Sequence, residues 1–211
     1  MPGNDYVFIT RWRVAGTCGE VADVLGDPVS LARWWPSVYL NVTEIEPPDA
    51  RGVGRRVRVL TKGWLPYTLS WDFVVTESRY PHGFSITASG DFEGTGVWTF
   101  AQENNDVAIV YDWRIRAEKP LLRALSFVLK PLFAANHRWA MAQGETSLKL
   151  ELARCRAVSD AEKGAIPLPP GPVTYAGVAL AAAAGAAVVG IGYVTYRALR
   201  RRPSPRARRE P

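Results

Sequence analysis

Between Tyr67 and Ile115 the chain runs through stretches in which apolar and polar residues alternate. Tyr67, Leu69, Trp71, Phe73 and Val75 fall on one side, and Thr68, Ser70, Asp72 and Thr76 on the other. Phe84, Ile86 and Ala88 alternate with Ser85, Thr87 and Ser89, and Gly96, Trp98 and Phe100 share a face. Val107, Ile109, Tyr111, Trp113 and Ile115 oppose Asp112, Arg114 and Arg116. A period of two is the spacing of a strand buried on one face. The turn clusters Pro81-His82-Gly83, Ser89-Gly90-Asp91 and Asn104-Asn105-Asp106 stand between these runs and join neighbours as hairpins. The outcome is an antiparallel meander with one apolar face, and that face has to be covered.

The flanking sequence supplies more strands and a cover. Residues 6–14 alternate, with Tyr6, Phe8, Thr10, Trp12 and Val14 opposite Arg11 and Arg13. Thr17 is placed to cap a short helix over 18–25 that ends near Gly26-Asp27-Pro28, and a second short helix, 29–35, stops at Pro36. Leu40–Glu46 and Arg55–Thr61 read as strands, the second with Val57 and Val59 inward. From Pro120 to about Arg154 the period becomes helical, along a stripe of Leu125, Leu129, Phe133, His137, Met141, Gly144, Leu148 and Leu152. Pro131 is expected to kink or split this helix, and Gly144 to let it approach the sheet closely. One strand, two short helices, six strands and a long helix make an α+β pattern with a seven-stranded antiparallel sheet. One helix covers only part of a strongly curved sheet, so a cavity is expected between the long helix and the concave face.

This order resembles the START-like helix-grip superfamily (SRPBCC), most closely its polyketide cyclase/dehydrase branch. The resemblance rests on Val21-Ala22-Asp23-Val24-Leu25 with Asp27-Pro28, on Leu31 with Trp34-Trp35-Pro36, and on Gly94-Thr95-Gly96-Val97-Trp98-Thr99-Phe100. It also rests on Asn136-His137-Arg138-Trp139 with Gly144-Glu145 and Leu148, and it covers residues 6–154. It implies a helix-grip fold and an apolar ligand, and it does not imply a reaction.

Eight tryptophans are many for a chain of 211 residues. Core packing accounts for most inward aromatics. A cavity walled by Trp and Tyr also offers rigid apolar surfaces with single polar tips, which suits a flat or ring-shaped apolar ligand. The expected ligand-binding set is Trp35, Tyr67, Trp71, Phe73, Phe84, Trp98, Tyr111, Trp113, Phe133, His137 and Met141. His137 has two readings, a general acid or base or a buried neutral imidazole. Tyr111 is its companion candidate for catalysis, since it and Tyr67 could orient a ligand oxygen. Asp91 and Glu93 flank Phe92 in a turn, where carboxylates are usually solvated. Trp34-Trp35-Pro36 is expected to rim the cavity mouth and to offer lipid headgroups an exposed ring. With two histidines and two distant cysteines there is no metal-ligand spacing, and no cofactor motif is present. Cys18 and Cys155 read as free thiols of a reducing compartment.

Charge divides the chain. Seven arginines between Arg197 and Arg209, set against Glu210, account for the whole net charge of +6. A neutral body argues against nucleic-acid binding. The 24 residues Val173–Tyr196 carry no charge. They read as an Ala-rich core helix or as a single membrane span, about 20 apolar residues being enough to cross. The proline-broken linker 166–172, with Tyr175, Tyr193 and Tyr196 near the ends of the run, favours the span. The expected organisation is a START-like domain over 1–155, a Pro-rich linker over 156–172, a transmembrane helix over 173–196 and a basic tail over 197–211. The N-terminus lacks the features of a signal peptide. The expected localisation is therefore a single-pass membrane protein whose domain faces the cytoplasm, with the helix and Arg tail touching lipid. Gly177, Ala181 and Gly185 form a small-xxx-small pattern that suits a weak homodimer. The expected function is sequestration of an apolar small molecule: a lipid, an isoprenoid or quinone, or a polyketide. The alternatives are an aromatase/cyclase or dehydratase using His137 and a tyrosine, and a non-catalytic scaffold.

Overall fold

The structure, a computed structural model, describes residues 5–117 and 120–174. The chain opens with β1 (Asp5–Ala15), α1 (Cys18–Leu25), a 3-10 turn (Pro28–Ser30) and α2 (Leu31–Trp34). The meander follows as β2 (Tyr39–Glu46), β3 (Arg56–Lys62), β4 (Thr68–Ser78), β5 (Gly83–Gly90), β6 (Phe92–Glu103) and β7 (Asp106–Ala117). Then come α3 (Pro120–Arg156) and the short α4 (Asp160–Ala165).

The seven strands form one antiparallel sheet in the order β1-β7-β6-β5-β4-β3-β2. Its curvature and the long helix make this a helix-grip fold. The alternation read from the sequence is the observed register of burial. Val57, Val59 and Val107 are completely buried, and Trp71, Phe73, Trp98, Tyr111 and Trp113 are nearly so. Extra residues bulge β2 between Tyr39 and Asn41 and between Glu44 and Glu46, and β4 between Val75 and Glu77. Each bulge bends its strand and sharpens the local twist.

Thr17 begins α1 as expected. Its hydroxyl accepts the Glu20 N–H, and Glu20 Oε2 accepts the Thr17 N–H at 2.8 Å, a reciprocal capping box. Arg156, the last residue of α3, donates to Glu20 at 2.7 Å. That bond holds the Glu20 carboxyl down to about 2 and ties the start of α1 to the end of α3. The expected second helix is instead a 3-10 turn followed by one turn of α-helix, because Pro28 starts the segment and Pro36 ends it.

The long helix runs unbroken through Pro131. The lost hydrogen bond and ring clash, worth about 3 kcal/mol, are outweighed by the packing of later turns, where Met141, Leu148 and Leu152 are buried. α3 packs on β1, α1 and α2. Gly144 is the point of closest approach, but to Trp35 rather than to the sheet: a Cβ there would lie 2.2 Å from Trp35 Cζ2. α2 therefore sits against the helix, with the Arg33 guanidinium 2.7 Å from the buried Glu151 carboxylate.

The expected single-pass membrane localisation, with a cytoplasm-facing domain, is corrected. No helix among the described residues is long and apolar enough to cross a membrane. The long α3 carries Lys130, Arg138, Glu145, Lys149, Glu151 and Arg154 along its length. The run 175–196, the Arg tail and the small-residue stripe Gly177, Ala181 and Gly185 lie outside the described residues. Between the long helix and that run, the linker contains α4, capped by Ser159.

Candidate functional site

α3 packs on β1, and among the described residues α1, the 3-10 turn and α2 lie over β6 and β2. Two cavities result. The smaller, about 140 Å³, lies beneath α3. The larger, about 700 Å³, lies between the sheet, α1 and the β2–β3 turn, and none of its described lining residues belongs to α3. The expectation of a cavity between helix and sheet is thus met in part. Most of the space lies beside the helix, where short elements bridge the sheet without filling it.

The expected aromatic set divides between the two chambers. Tyr67, Trp113, Phe133, His137 and Met141 line the small one. Phe73, Phe84 and Trp98 line the large one. Trp35, Trp71 and Tyr111 line both, and so does Tyr39, which is not among the expected ligand-binding residues. The floor is a chain of rings. Trp98 stacks on Tyr111 at 4.0 Å between centroids, Tyr111 on Trp113 at 5.6 Å, and Trp113 meets Trp71 at 5.6 Å. Trp12 links Trp98 to Trp35 at 5.4 and 5.7 Å. Gly96 makes this floor possible, because a Cβ there would fall 2.7 Å from the Tyr111 hydroxyl and 2.9 Å from the Trp113 ring.

Trp35 and Trp34 are 3 % and 0 % exposed, which corrects the expectation of an exposed ring at the mouth. Pro36 ends α2 with Trp35 turned inward onto Gly144, so Trp35 separates the chambers. The outer rim consists instead of Arg51, Tyr80 and Asp23, with Arg51 and Tyr80 well exposed to solvent.

His137 is on the inner stripe as expected, and its ring stacks on Phe8 at 4.1 Å. Its Nε2 is buried with no hydrogen-bond partner among the described residues. Burial, with a smaller contribution from Arg138, brings its pKa down to about 4. This direction favours the neutral imidazole. Burial likewise pushes Tyr67 up to about 12 and raises Tyr39 and Tyr111. These phenols stay protonated. Asp91 and Glu93 serve structure: Asp91 accepts the Ser70 N–H at 2.9 Å, and Glu93 pairs with Arg116 at 3.4 Å. Cys18 and Cys155 are free thiols.

Two features were missed. Tyr6 and Phe8 were read as inward but not as site residues, and they wall the small chamber. Asn136 carries part of the resemblance but no expected role in the site. Its Oδ1 accepts the Trp64 and Leu65 N–H groups at 2.9 and 3.2 Å, latching the β3–β4 loop onto α3. Gly63 leaves room for it, since a Cβ there would lie 2.1 Å from Oδ1. Asn136→Ala strands two amides and is expected to lower stability by about 1–3 kcal/mol, the cost of leaving such groups unpaired. Denaturant unfolding measures it, and an unchanged midpoint would show the latch to be idle.

The sheet, the grip of α3 and an aromatic-floored cavity define a helix-grip protein with an internal cavity. No protein-family model matches the chain, and no curated protein is found similar to it. Its fold is shared with solved structures. A protein from Thermus thermophilus is similar with a TM-score of 0.58 at 14% identity, covering 72% of this chain and 100% of that one. The Zhui aromatase/cyclase from a Streptomyces species has a TM-score of 0.57 at 13% identity, covering 74% and 98%. A START superfamily protein from Mycobacterium smegmatis has a TM-score of 0.57 at 10% identity, covering 71% and 98%.

Proposed function

We propose that this protein binds and sequesters an apolar small molecule, of the lipid, isoprenoid or polyketide kind, on the aromatic floor of its concave sheet. One observation carries the reading. A space of about 700 Å³ adjoins the continuous ring floor, and pockets for small molecules fall in the range of roughly 300–1,000 Å³. A fold shared with a START superfamily protein and with an aromatase/cyclase is consistent with it. His137 is a poor general acid near neutrality, because burial lowers its pKa to about 4 and leaves it unprotonated there, and no described group orients its Nε2.

The test is mass spectrometry of an organic extract of the gently purified protein, together with titration by an uncharged apolar fluorophore such as Nile red. Trp71 walls both chambers and donates its Nε1–H to Thr61 at 3.0 Å. Trp71→Ala is expected to weaken fluorophore binding by about 1–3 kcal/mol, the range for burying a large apolar side chain. A folded wild-type protein that yields no extractable ligand and binds no apolar probe would end the reading.

A further inference from the structure

We propose that the two chambers are one site for an elongated, uncharged molecule with a keto or hydroxyl oxygen partway along its length, gripped at the waist by the hydroxyls of Tyr39 and Tyr111. This rests on the binding reading above and names its ligand class.

Tyr39, Tyr111, Trp35 and Trp71 each face both spaces, so the partition is one layer of side chains thick. At about 140 Å³ the small chamber falls below the size of an ordinary ligand pocket. It has room for one end of a molecule whose remainder fills the large chamber. The polar groups at the waist point the same way. Neither the Tyr39 nor the Tyr111 hydroxyl has a hydrogen-bond partner among the described residues, and the missing Cβ of Gly96 lets the Tyr111 hydroxyl lie against the strand beside it without a clash. A phenol in apolar surroundings costs free energy until it finds an acceptor. A ligand oxygen between the two chambers supplies one. The cations on the walls are already engaged: Lys62, in the small chamber, is not free of partners. On the large chamber's wall, Arg55 lies 3.1 Å from Glu44 and 4.0 Å from Asp27, and Arg51 lies 3.3 Å from Asp49. An anionic head finds no uncompensated arginine there.

The experiment is displacement of Nile red from the full chain by four probes: a long-chain ketone with its carbonyl at mid-chain, the alkane and the fatty-acid anion of the same length, and a ketone of half that length. The long ketone is expected to compete about tenfold better than the alkane and the anion, the sum of two modest hydrogen bonds, and better than the short ketone. Tyr39→Phe with Tyr111→Phe removes only two oxygens. It is expected to erase the ketone's advantage over the alkane, both probes being measured on the same variant. The proposal is overturned if the anion binds best, if the short ketone competes as well as the long one, or if the double variant keeps the ketone preference. If Nile red and every probe fail to bind, the underlying binding reading falls with it. If the alkane and ketone bind equally, only the waist does.

Discussion

Gly144→Ala is expected to destabilise the protein by about 2 kcal/mol, although alanine is the better helix former. Removing a glycine from the interior of α3 should stabilise the helix by about 0.5–1 kcal/mol. Here the new methyl would lie 2.2 Å from Trp35 Cζ2 and 2.6 Å from Cε2. Trp35 cannot swing away, since it packs on Trp12, Trp34 and Tyr39 and is almost wholly buried. Overpacking of this kind costs about 1–3 kcal/mol or more, and with no flexible neighbour to yield, the upper end applies. Gly164→Ala is the control. It also lies in a helix, but its Cβ would meet nothing within 4 Å, so it should be neutral or slightly stabilising. Guanidinium unfolding of the two variants reads the difference. Equal midpoints would mean that the contact between α2 and α3 does not hold Trp35 where it stands. Because Trp35 divides the chambers, Gly144→Ala should also weaken Nile red binding, and Gly164→Ala should not.

The same pair of residues shows what could and could not be read from the sequence. The strands were legible because alternation is local. Trp71, Phe73, Tyr111 and Trp113 each stand where period two puts them, and 18–25 was legible as a helix because Thr17 and Glu20 complete a cap within four residues. The position of the long helix over the sheet was not. It depends on Gly144 receiving a ring from residue 35, far away in sequence, and a glycine in a helical stripe carries no sign of which partner it admits. The cavity was therefore expected under α3, whereas the larger space lies beside it. Tyr39 was missed for a different reason. A bulge between Tyr39 and Asn41 breaks the alternation of β2 where it enters the sheet, so its inward face cannot be inferred by counting back from Leu40. Asn136 was invisible because its partners are backbone amides, which leave no trace in the sequence at 64 and 65. The uncharged run after Val173 reads as a membrane span on composition; from residue 175 it lies outside the described residues, and no helix among the described ones is long and apolar enough to cross a membrane.

Lowering the pH from 7 to 5 is expected to cost the protein about 2 kcal/mol of stability through His137 alone. The ordinary histidine pKa is about 6.5, and in the folded protein burial against Phe8 brings it to about 4. Above 6.5 the imidazole is neutral in both states and the full stability is present. Between 6.5 and 4 the unfolded chain takes up a proton that the folded chain refuses, so stability falls by up to about 1.4 kcal/mol per pH unit. Below 4 both states are protonated and this loss stops. The carboxylates with lowered pKa values, Glu20, Asp72 and Asp112, lose their stabilising charge as the pH falls through the ordinary carboxylate range near 4 and beyond, so the window from 6.5 to 5 belongs mainly to His137. His137→Phe keeps a ring against Phe8 and removes a buried nitrogen that has no partner. It should be at least as stable as the wild type at pH 7, and more stable by about 2 kcal/mol at pH 5. Urea unfolding of both proteins at the two pH values isolates the effect as a difference of differences. A variant that loses as much stability as the wild type between pH 7 and 5 would mean that His137 is accessible to protons in the fold. In that case its role as a neutral wall of the small chamber would have to be given up.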